Sequence, residues 1–140
     1  MFYLDASVVV TALANEDATD RAQAWLRARP PGETVISDWV VTEVSSALSI
    51  KIRTGKIDVE ARARIFREFN RMARDELGLV QVKAAHFQNA ARFADQHTLG
   101  LRAGDALHLA IASDHGLTLC TLDRRLAEAG PALGISSVLI

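Results

Sequence analysis

The first five residues constrain the fold most, because an uninterrupted apolar run ends there on a carboxylate. Met1 to Leu4 are apolar or aromatic, and Asp5 follows them directly. A run without polar alternation is typical of a strand that is buried on both faces, as in a parallel sheet covered by helices. Ligands of open α/β sheets bind outside the carboxyl ends of the strands, so Asp5 is a candidate site residue. A helix cap or a turn residue is the alternative interpretation of Asp5 alone.

The composition is that of an ordinary globular protein that fits one domain. The chain has 140 residues, of which 49% are hydrophobic and 24% charged, and it contains only 3 prolines. This composition argues against disorder, and no repeat, linker or low-complexity segment divides the chain. We therefore expect a single domain over residues 1–140.

The single cysteine and the amino terminus predict where the protein resides. Cys120 alone can form neither an intramolecular disulfide nor a cysteine-clustered zinc site, which favours a reducing cytoplasm. No basic region precedes the first apolar run, and no apolar stretch approaches the roughly 18 residues of a membrane span. We expect a soluble cytoplasmic protein without membrane association.

Strand and helix signals alternate along the chain. Strands are predicted at 1–4, 34–37, 79–82, 117–122 and 137–140. Helices are predicted at 7–14, 17–29, 39–54, 58–76, 84–97 and 105–115, with a short helix beginning at 123. The alternation predicts an α/β sandwich with a central, mostly parallel sheet of about five strands.

Several details of these helices are predicted as well. Ser7 and Asp38 are candidate N-caps, and the short connection at 55–58 makes the third and fourth helices an antiparallel hairpin. In the helix at 84–97 the expected inward residues are Phe87, Ala90, Ala91 and Ala94.

Glu43 stands out because of the helix face that it occupies. In the third helix it lies on the same face as the apolar residues Val40, Val44 and Ala47. A lone ionised carboxylate on a core face costs several kcal/mol or takes up a proton. Glu43 therefore needs a cation or a cleft that opens to solvent, and an ion pair with an arginine or lysine is the structural alternative.

Two further acids are placed in similar ways. Asp105 begins a nearly all-apolar helix, where free backbone N–H groups favour an anion, and Asp123 follows an apolar strand as Asp5 does. Four carboxylates converging on one sheet edge would repel one another unless a divalent cation neutralises them. Oxygen ligands without histidine or cysteine suit Mg²⁺ or Mn²⁺ rather than zinc.

The order and spacing of these acids resemble the acidic motifs of the PIN-domain nucleases. The segments that carry the resemblance are Tyr-Leu-Asp-Ala-Ser at 3–7, Thr-Glu at 42–43, Leu-Arg-Ala-Gly-Asp-Ala-Leu-His-Leu-Ala at 101–110 and Thr-Leu-Asp at 121–123. Within the family, the chain length and the segment around Asp105 look most like the VapC toxins of VapBC toxin-antitoxin pairs. The resemblance spans Met1 to about Ala129.

The resemblance implies a PIN-like α/β/α sandwich and a metal-dependent endoribonuclease. It also implies a homodimer that is silenced by a cognate VapB-type antitoxin. Carried over position by position, the catalytic and metal-binding acids are Asp5, Glu43, Asp105 and Asp123. Ser7 and Thr121 match the hydroxyl positions beside them.

Charge and histidine content add two open questions. The net charge is −1, yet eight of the 16 basic residues fall between Lys51 and Arg74. On the fourth helix Arg64, Arg67 and Arg71 either bind RNA phosphates or belong to a solvated face paired with nearby acids. His108 either supports the metal site or packs in the core.

Two competing functions remain at this point. Haloacid-dehalogenase phosphatases also carry an acid after the first strand, but they need a second Asp two residues later, where this chain has Ser7. A PIN scaffold that only binds a partner would tolerate loss of acids, whereas all four are present.

Overall fold

The computed structural model describes residues 1–140 and contains five β-strands and seven α-helices. In chain order the elements are β1 (Phe2–Leu4), α1 (Ala6–Leu13), α2 (Thr19–Arg27), β2 (Thr34–Ser37), α3 (Asp38–Arg53), α4 (Val59–Asp75), β3 (Gly78–Val80), α5 (Ala84–Ala94), α6 (Ala103–Asp114), β4 (Thr118–Thr121), α7 (Arg124–Ala132) and β5 (Ser137–Leu139). None of the helices has both the length and the hydrophobicity to cross a lipid bilayer.

The five strands form one parallel sheet in the order β3-β2-β1-β4-β5. Helices flank this sheet, which confirms the predicted PIN-like α/β/α sandwich. β1 is the central strand, and its residues Tyr3 and Leu4 are fully buried. Burial on both faces explains why the first apolar run shows no polar alternation.

The strand order defines where a ligand site can form. From β1 the chain adds β2 and β3 on one side, and it then returns to add β4 and β5 on the other side. The connections therefore diverge between β1 and β4, and the crevice at the carboxyl ends of these two strands is the topological switch point. Asp5 follows β1 directly, and Asp123 lies two residues beyond β4.

Three predicted helix starts need correction, and one of them is that of α6, which begins two residues before Asp105, at Ala103. Asp5, not Ser7, is the N-cap of α1, since its backbone is still extended and its side chain accepts the Val8 N–H. Ser37, not Asp38, precedes α3, because Ser37 keeps the extended backbone of β2 and Asp38 is already helical. Asp5, at the end of the first strand, is thus both the N-cap of α1 and a candidate site residue.

The predicted inward face of α5 is wrong at three of its four residues. Phe87 is 55% exposed, and Ala91 and Ala94 are exposed as well, whereas Ala90 is buried as predicted. The buried partner of Ala90 is His86, which is fully enclosed where α5 packs on α6. Both ring nitrogens of His86 are hydrogen-bonded, so a polar residue occupies a core position that hydrophobicity alone assigns to Phe87.

Candidate metal centre

A cleft of about 550 Å³ opens at the switch point, and the four acids of the sequence analysis all line it. These residues are Asp5, Glu43, Asp105 and Asp123. They come from four separate segments of the chain: the end of β1, the middle of α3, the first turn of α6 and the residue before α7. The fold therefore brings together side chains that are up to 118 positions apart in sequence, counted from 5 to 123.

Asp5 is the most buried of the four carboxylates, with 5% of its surface exposed. Its Oδ1 accepts hydrogen bonds from Ser7 Oγ at 2.5 Å and from the Val8 N–H at 3.2 Å, and Oδ2 accepts one from Thr121 Oγ1 at 2.6 Å. Burial raises the pKa of Asp5 above its ordinary value, although His108 and the three hydrogen bonds oppose this shift. A nearby cation would favour the ionised carboxylate.

The hydroxyl groups of Ser7 and Thr121 connect the ends of β1 and β4 around Asp5 through hydrogen bonds. Ser7 Oγ accepts the Leu122 N–H at 3.0 Å, and Thr121 Oγ1 accepts the Asp123 N–H at 2.9 Å. Each hydroxyl thus accepts a backbone N–H from the two residues that follow β4 and donates its own proton to Asp5. The two hydroxyl residues fix the position of this carboxylate from opposite sides.

Glu43 is oriented by a histidine rather than by an arginine or lysine. His108 Nε2 lies 2.5 Å from Glu43 Oε2, and His108 Nδ1 lies 3.0 Å from the Tyr3 hydroxyl. The Tyr3 hydroxyl is also 2.7 Å from Ser37 Oγ. A consistent set of donors runs from Ser37 to Tyr3, from Tyr3 to Nδ1, and from Nε2–H to the Glu43 carboxylate.

Asp105 and Asp123 each have one carboxylate oxygen that accepts hydrogen bonds from backbone N–H groups at the start of a helix. Asp105 Oδ2 accepts the Arg102 N–H at 3.1 Å, and Asp123 Oδ1 accepts the N–H groups of Arg125 and Leu126 at 2.8 and 3.2 Å. The other oxygen of each carboxylate makes no hydrogen bond to the protein. The four acids are spread over the cleft, because no three of them have ligand atoms within 4.8 Å of one another.

The donor set of this cleft fits a hard divalent cation. The lining acids offer carboxylate oxygens, while both nitrogens of the lining histidine His108 are already engaged. Cys120 is buried within β4 and does not line the cleft. Oxygen ligands of this kind suit Mg²⁺ or Mn²⁺, and the negative charge of the four acids that line the cleft favours a cation.

A second group of metal-binding side chains lies apart from the cleft, at the packing of α5 on α6. His86, Asp114 and His115 have ligand atoms within 4.8 Å of one another. His86 Nδ1 accepts the Lys83 N–H, so its Nε2 carries the proton that points to Asp114 Oδ2 at 3.0 Å. A protonated nitrogen cannot bind a metal, and this group is a packing contact.

The three arginines predicted on α4 differ in their surroundings. Arg71 forms ion pairs with Glu68 and Glu76. Arg64 lines a groove between the end of α1 and the start of α4, and Arg67 is exposed without an ion pair. Arg71 is therefore paired with carboxylates, whereas Arg64 and Arg67 form no ion pair and can contact a ligand.

Sequence reasoning missed the hydrogen bonds that join Ser37 to Tyr3 and Tyr3 to His108. It also did not place Glu16 and Lys51 in the same cleft as the four acids. Ser37 and Tyr3 looked like ordinary strand residues. Their one signal is a polar group within a buried strand, which becomes informative only when the strand order is known.

The family model of the PIN domain matches residues 2–130, so the chain belongs to the PIN-domain family. Because the chain is a PIN domain, the alternative of a haloacid-dehalogenase phosphatase is wrong. No curated protein matches the chain in sequence.

Solved structures share the fold over almost the whole chain. PAE2754 from Pyrobaculum aerophilum is 24% identical, with a TM-score of 0.69 over 98% of this chain and 83% of the other. VapC20 from Mycobacterium tuberculosis, described as a sarcin-ricin loop cleaving toxin, is 17% identical, with a TM-score of 0.73 over 93% and 95%. VapBC2 from Rickettsia felis, bound to a DNA fragment from its promoter, is 18% identical, with a TM-score of 0.67 over 100% and 99%.

Proposed function

We propose that this protein is a metal-dependent endoribonuclease of the VapC type, the toxin of a toxin-antitoxin pair. The observation that carries the proposal is the convergence of Asp5, Glu43, Asp105 and Asp123 on one cleft at the switch point of a PIN fold. These four acids are the proposed catalytic and metal-binding residues. Residues 1–140 are proposed to form one PIN domain that acts in the cytoplasm.

The proposed cofactor is Mg²⁺ or Mn²⁺. When bound, such an ion supplies Lewis-acid stabilisation of phosphodiester charge and lowers the pKa of water for hydrolysis. The protein contributes the positions of the ligands. Asp5 is held by Ser7 and Thr121, and Glu43 is held by His108, so two of the four carboxylates are preorganised by hydrogen bonds.

The partners follow from the same proposal. Similar folds include a toxin described as cleaving the sarcin-ricin loop and toxins solved together with their antitoxins, which supports an RNA substrate and a VapB-type antitoxin. A homodimer is part of the proposal as well. For RNA binding, Arg64 and Arg67 are the better candidates on α4, since Arg71 already pairs with two glutamates.

Controlled expression followed by mapping of RNA ends tests this function. Cells that express the wild-type chain should accumulate new RNA ends at a restricted set of sites, and cells that express Asp105→Asn should not. Asp105→Asn removes a charge but leaves one oxygen that can accept the Arg102 N–H, so the fold should persist. Identical RNA ends with both proteins would refute the nuclease function.

A PIN scaffold that only binds a partner is the remaining alternative. It would copurify with an antitoxin yet leave RNA intact in Mg²⁺ or Mn²⁺ after that partner is removed. Incubation of the antitoxin-free protein with RNA, with and without EDTA, separates the two functions.

A further inference from the structure

The cleft that contains the acids has a second end of opposite charge. Between α1 and α3 it extends from Asp5 and Glu43 to Lys51, and Lys56 in the following loop also lines it. Glu43 and Lys51 lie eight positions apart on α3, which is about 12 Å at the rise of an α-helix. The Lys51 ammonium group is paired with Glu16 rather than with any of the four acids.

Glu16 occupies this basic end. Its carboxylate forms an ion pair with Lys51, and Oε2 accepts a hydrogen bond from Thr11 Oγ1 at 2.7 Å. Burial opposes ionisation of Glu16, yet the bonds from Lys51 and Thr11 and the charge of Lys56 lower its pKa overall. An ammonium group and a hydroxyl thus converge on one anionic group, with a second ammonium group nearby.

The backbone holds Glu16 in that position. The Glu16 N–H donates to Thr19 Oγ1 at 2.7 Å, and Thr19 Oγ1 donates to the Thr11 carbonyl at 2.6 Å. Thr19 is buried, and it ties the start of α2 to the end of α1. The backbone of Glu16 is therefore fixed by the fold, while its side chain keeps 34% of its surface exposed.

The donors around Glu16 also suit a phosphate. Lysine ammonium and threonine hydroxyl groups are common donors to phosphate oxygens, and such contacts position a nucleic acid without reading its sequence. Lys51 is only 14% exposed, so its charge is directed into the cleft rather than into bulk water. Lys56 also lines the neighbouring groove with Arg64, which extends the basic surface away from the acids.

We propose that Lys51, Lys56 and Thr11 form a binding site for a backbone phosphate that flanks the scissile one, and that Glu16 occupies this site until RNA displaces it. The inference rests on the proposed nuclease function. The RNA then crosses the four acids and continues along the cleft between α1 and α3. Glu16 is then an intramolecular competitor of the substrate, so RNA affinity is lower than the basic residues alone would allow.

A double-mutant cycle with Glu16→Gln and Lys51→Met tests this site. Methionine retains most of the apolar stem of Lys51 and limits the loss of packing. The probe is a fluorescent single-stranded RNA of mixed sequence, 12 nucleotides long, with affinity measured by anisotropy in Ca²⁺ and with the RNA checked for integrity. Glu33→Gln and Arg27→Ala are the charge-matched controls, since both residues are exposed and neither lines the cleft.

Lys51→Met should weaken RNA binding by about tenfold and flatten the salt dependence by about 0.7 in log-log slope, as expected for one lost phosphate contact on a single strand. Glu16→Gln should tighten binding severalfold in the wild-type background and have no effect in the Lys51→Met background. The two controls should cleave saturating RNA in Mn²⁺ at the single-turnover rate of the wild type, which shows that loss of a charge elsewhere on the surface does not disturb the cleft.

Two failures can be told apart. If the wild-type protein cleaves RNA but Lys51→Met and Glu16→Gln bind it as the two controls do, the phosphate site is refuted and the nuclease function stands. If the wild-type protein neither binds nor cleaves RNA, both proposals are refuted. A tighter complex with Glu16→Gln in both backgrounds would refute the competition between Glu16 and RNA.

Discussion

His108 joins Glu43 in the cleft to Tyr3 on the central strand, with Nε2 lying 2.5 Å from Glu43 Oε2 and Nδ1 lying 3.0 Å from the Tyr3 hydroxyl. The histidine side chain is 3% exposed, so its ring cannot turn without breaking buried hydrogen bonds. Because β1 also positions Asp5, one strand determines the geometry of two of the four carboxylates.

This relationship predicts that His108 controls cation affinity. His108→Gln should weaken Mn²⁺ binding by about 10 to 100-fold, the usual effect of losing a group that orients a metal ligand. The cleavage rate should recover at high Mn²⁺ concentration, since all four acids remain. His97→Gln, at an exposed histidine, is the control. Equal Mn²⁺ affinities of the two variants in calorimetric titrations would show that His108 only fills the core.

Gly104 predicts a separation of stability from activity. A Cβ atom at this position would lie 3.0 Å from Glu43 Oε1 and 3.6 Å from Trp39 Cζ2. Gly104→Ala should therefore displace the glutamate carboxylate and weaken Mn²⁺ binding. Alanine favours a helix by about 1 kcal/mol over glycine, so the free energy of unfolding in EDTA should change little. A large loss of stability with unchanged Mn²⁺ affinity would contradict this account.

The contact between α5 and α6 predicts a pH dependence of stability that is separate from the cleft. The hydrogen bonds of His86 and Lys83 lower the pKa of Asp114 to about 2. Because the folded pKa is below the unfolded one, this contribution is present above the ordinary Asp range of about 4 and is lost as the pH falls through about 2. Urea unfolding of the wild type and Asp114→Asn should differ at pH 5 and converge towards pH 2. A pH-independent difference would contradict the assignment.

The arginines of α4 predict unequal effects on RNA affinity. Arg64→Ala with Arg67→Ala should weaken binding, whereas Arg71→Ala with Arg74→Ala should have a smaller effect because both of these arginines pair with carboxylates. Exposed arginines contribute little to folding, so both double variants should melt near the wild-type temperature. Equal RNA affinities and equal salt slopes of the two double variants would indicate that all four arginines belong to a solvated helix face and do not bind RNA.

Much of the fold could be predicted from local pattern. The apolar runs predicted the five strands. The acids after β1 and β4 could be assigned to one edge of the sheet, because the carboxyl ends of parallel strands lie on the same side. The face of α3 identified Glu43 before any contact was known. These features depend on short-range periodicity and on general rules of sheet topology.

Long-range polar contacts could not be predicted in the same way. His86 takes a core position on α5 only because Asp114, 28 residues later, and the Lys83 backbone satisfy its ring. The pairing of Glu16 with Lys51 spans 35 residues and depends on how the α1–α2 connection meets α3. Hydrophobic periodicity contains no information about such pairs, so it assigned Phe87 to the core and did not place Lys51 in the cleft.

The central claim is that carboxylates of this cleft hold a divalent cation that is required for RNA cleavage. The most direct measurement is the single-turnover rate of RNA cleavage as a function of Mn²⁺ concentration, for the wild type, Asp5→Asn, Asp105→Asn and the exposed control Asp95→Asn. We expect the wild type and the control to cleave with the same saturable Mn²⁺ dependence, and both site variants to be inactive while their circular dichroism spectra remain those of a folded protein. Undiminished Mn²⁺-dependent cleavage by folded Asp5→Asn or Asp105→Asn would contradict the claim.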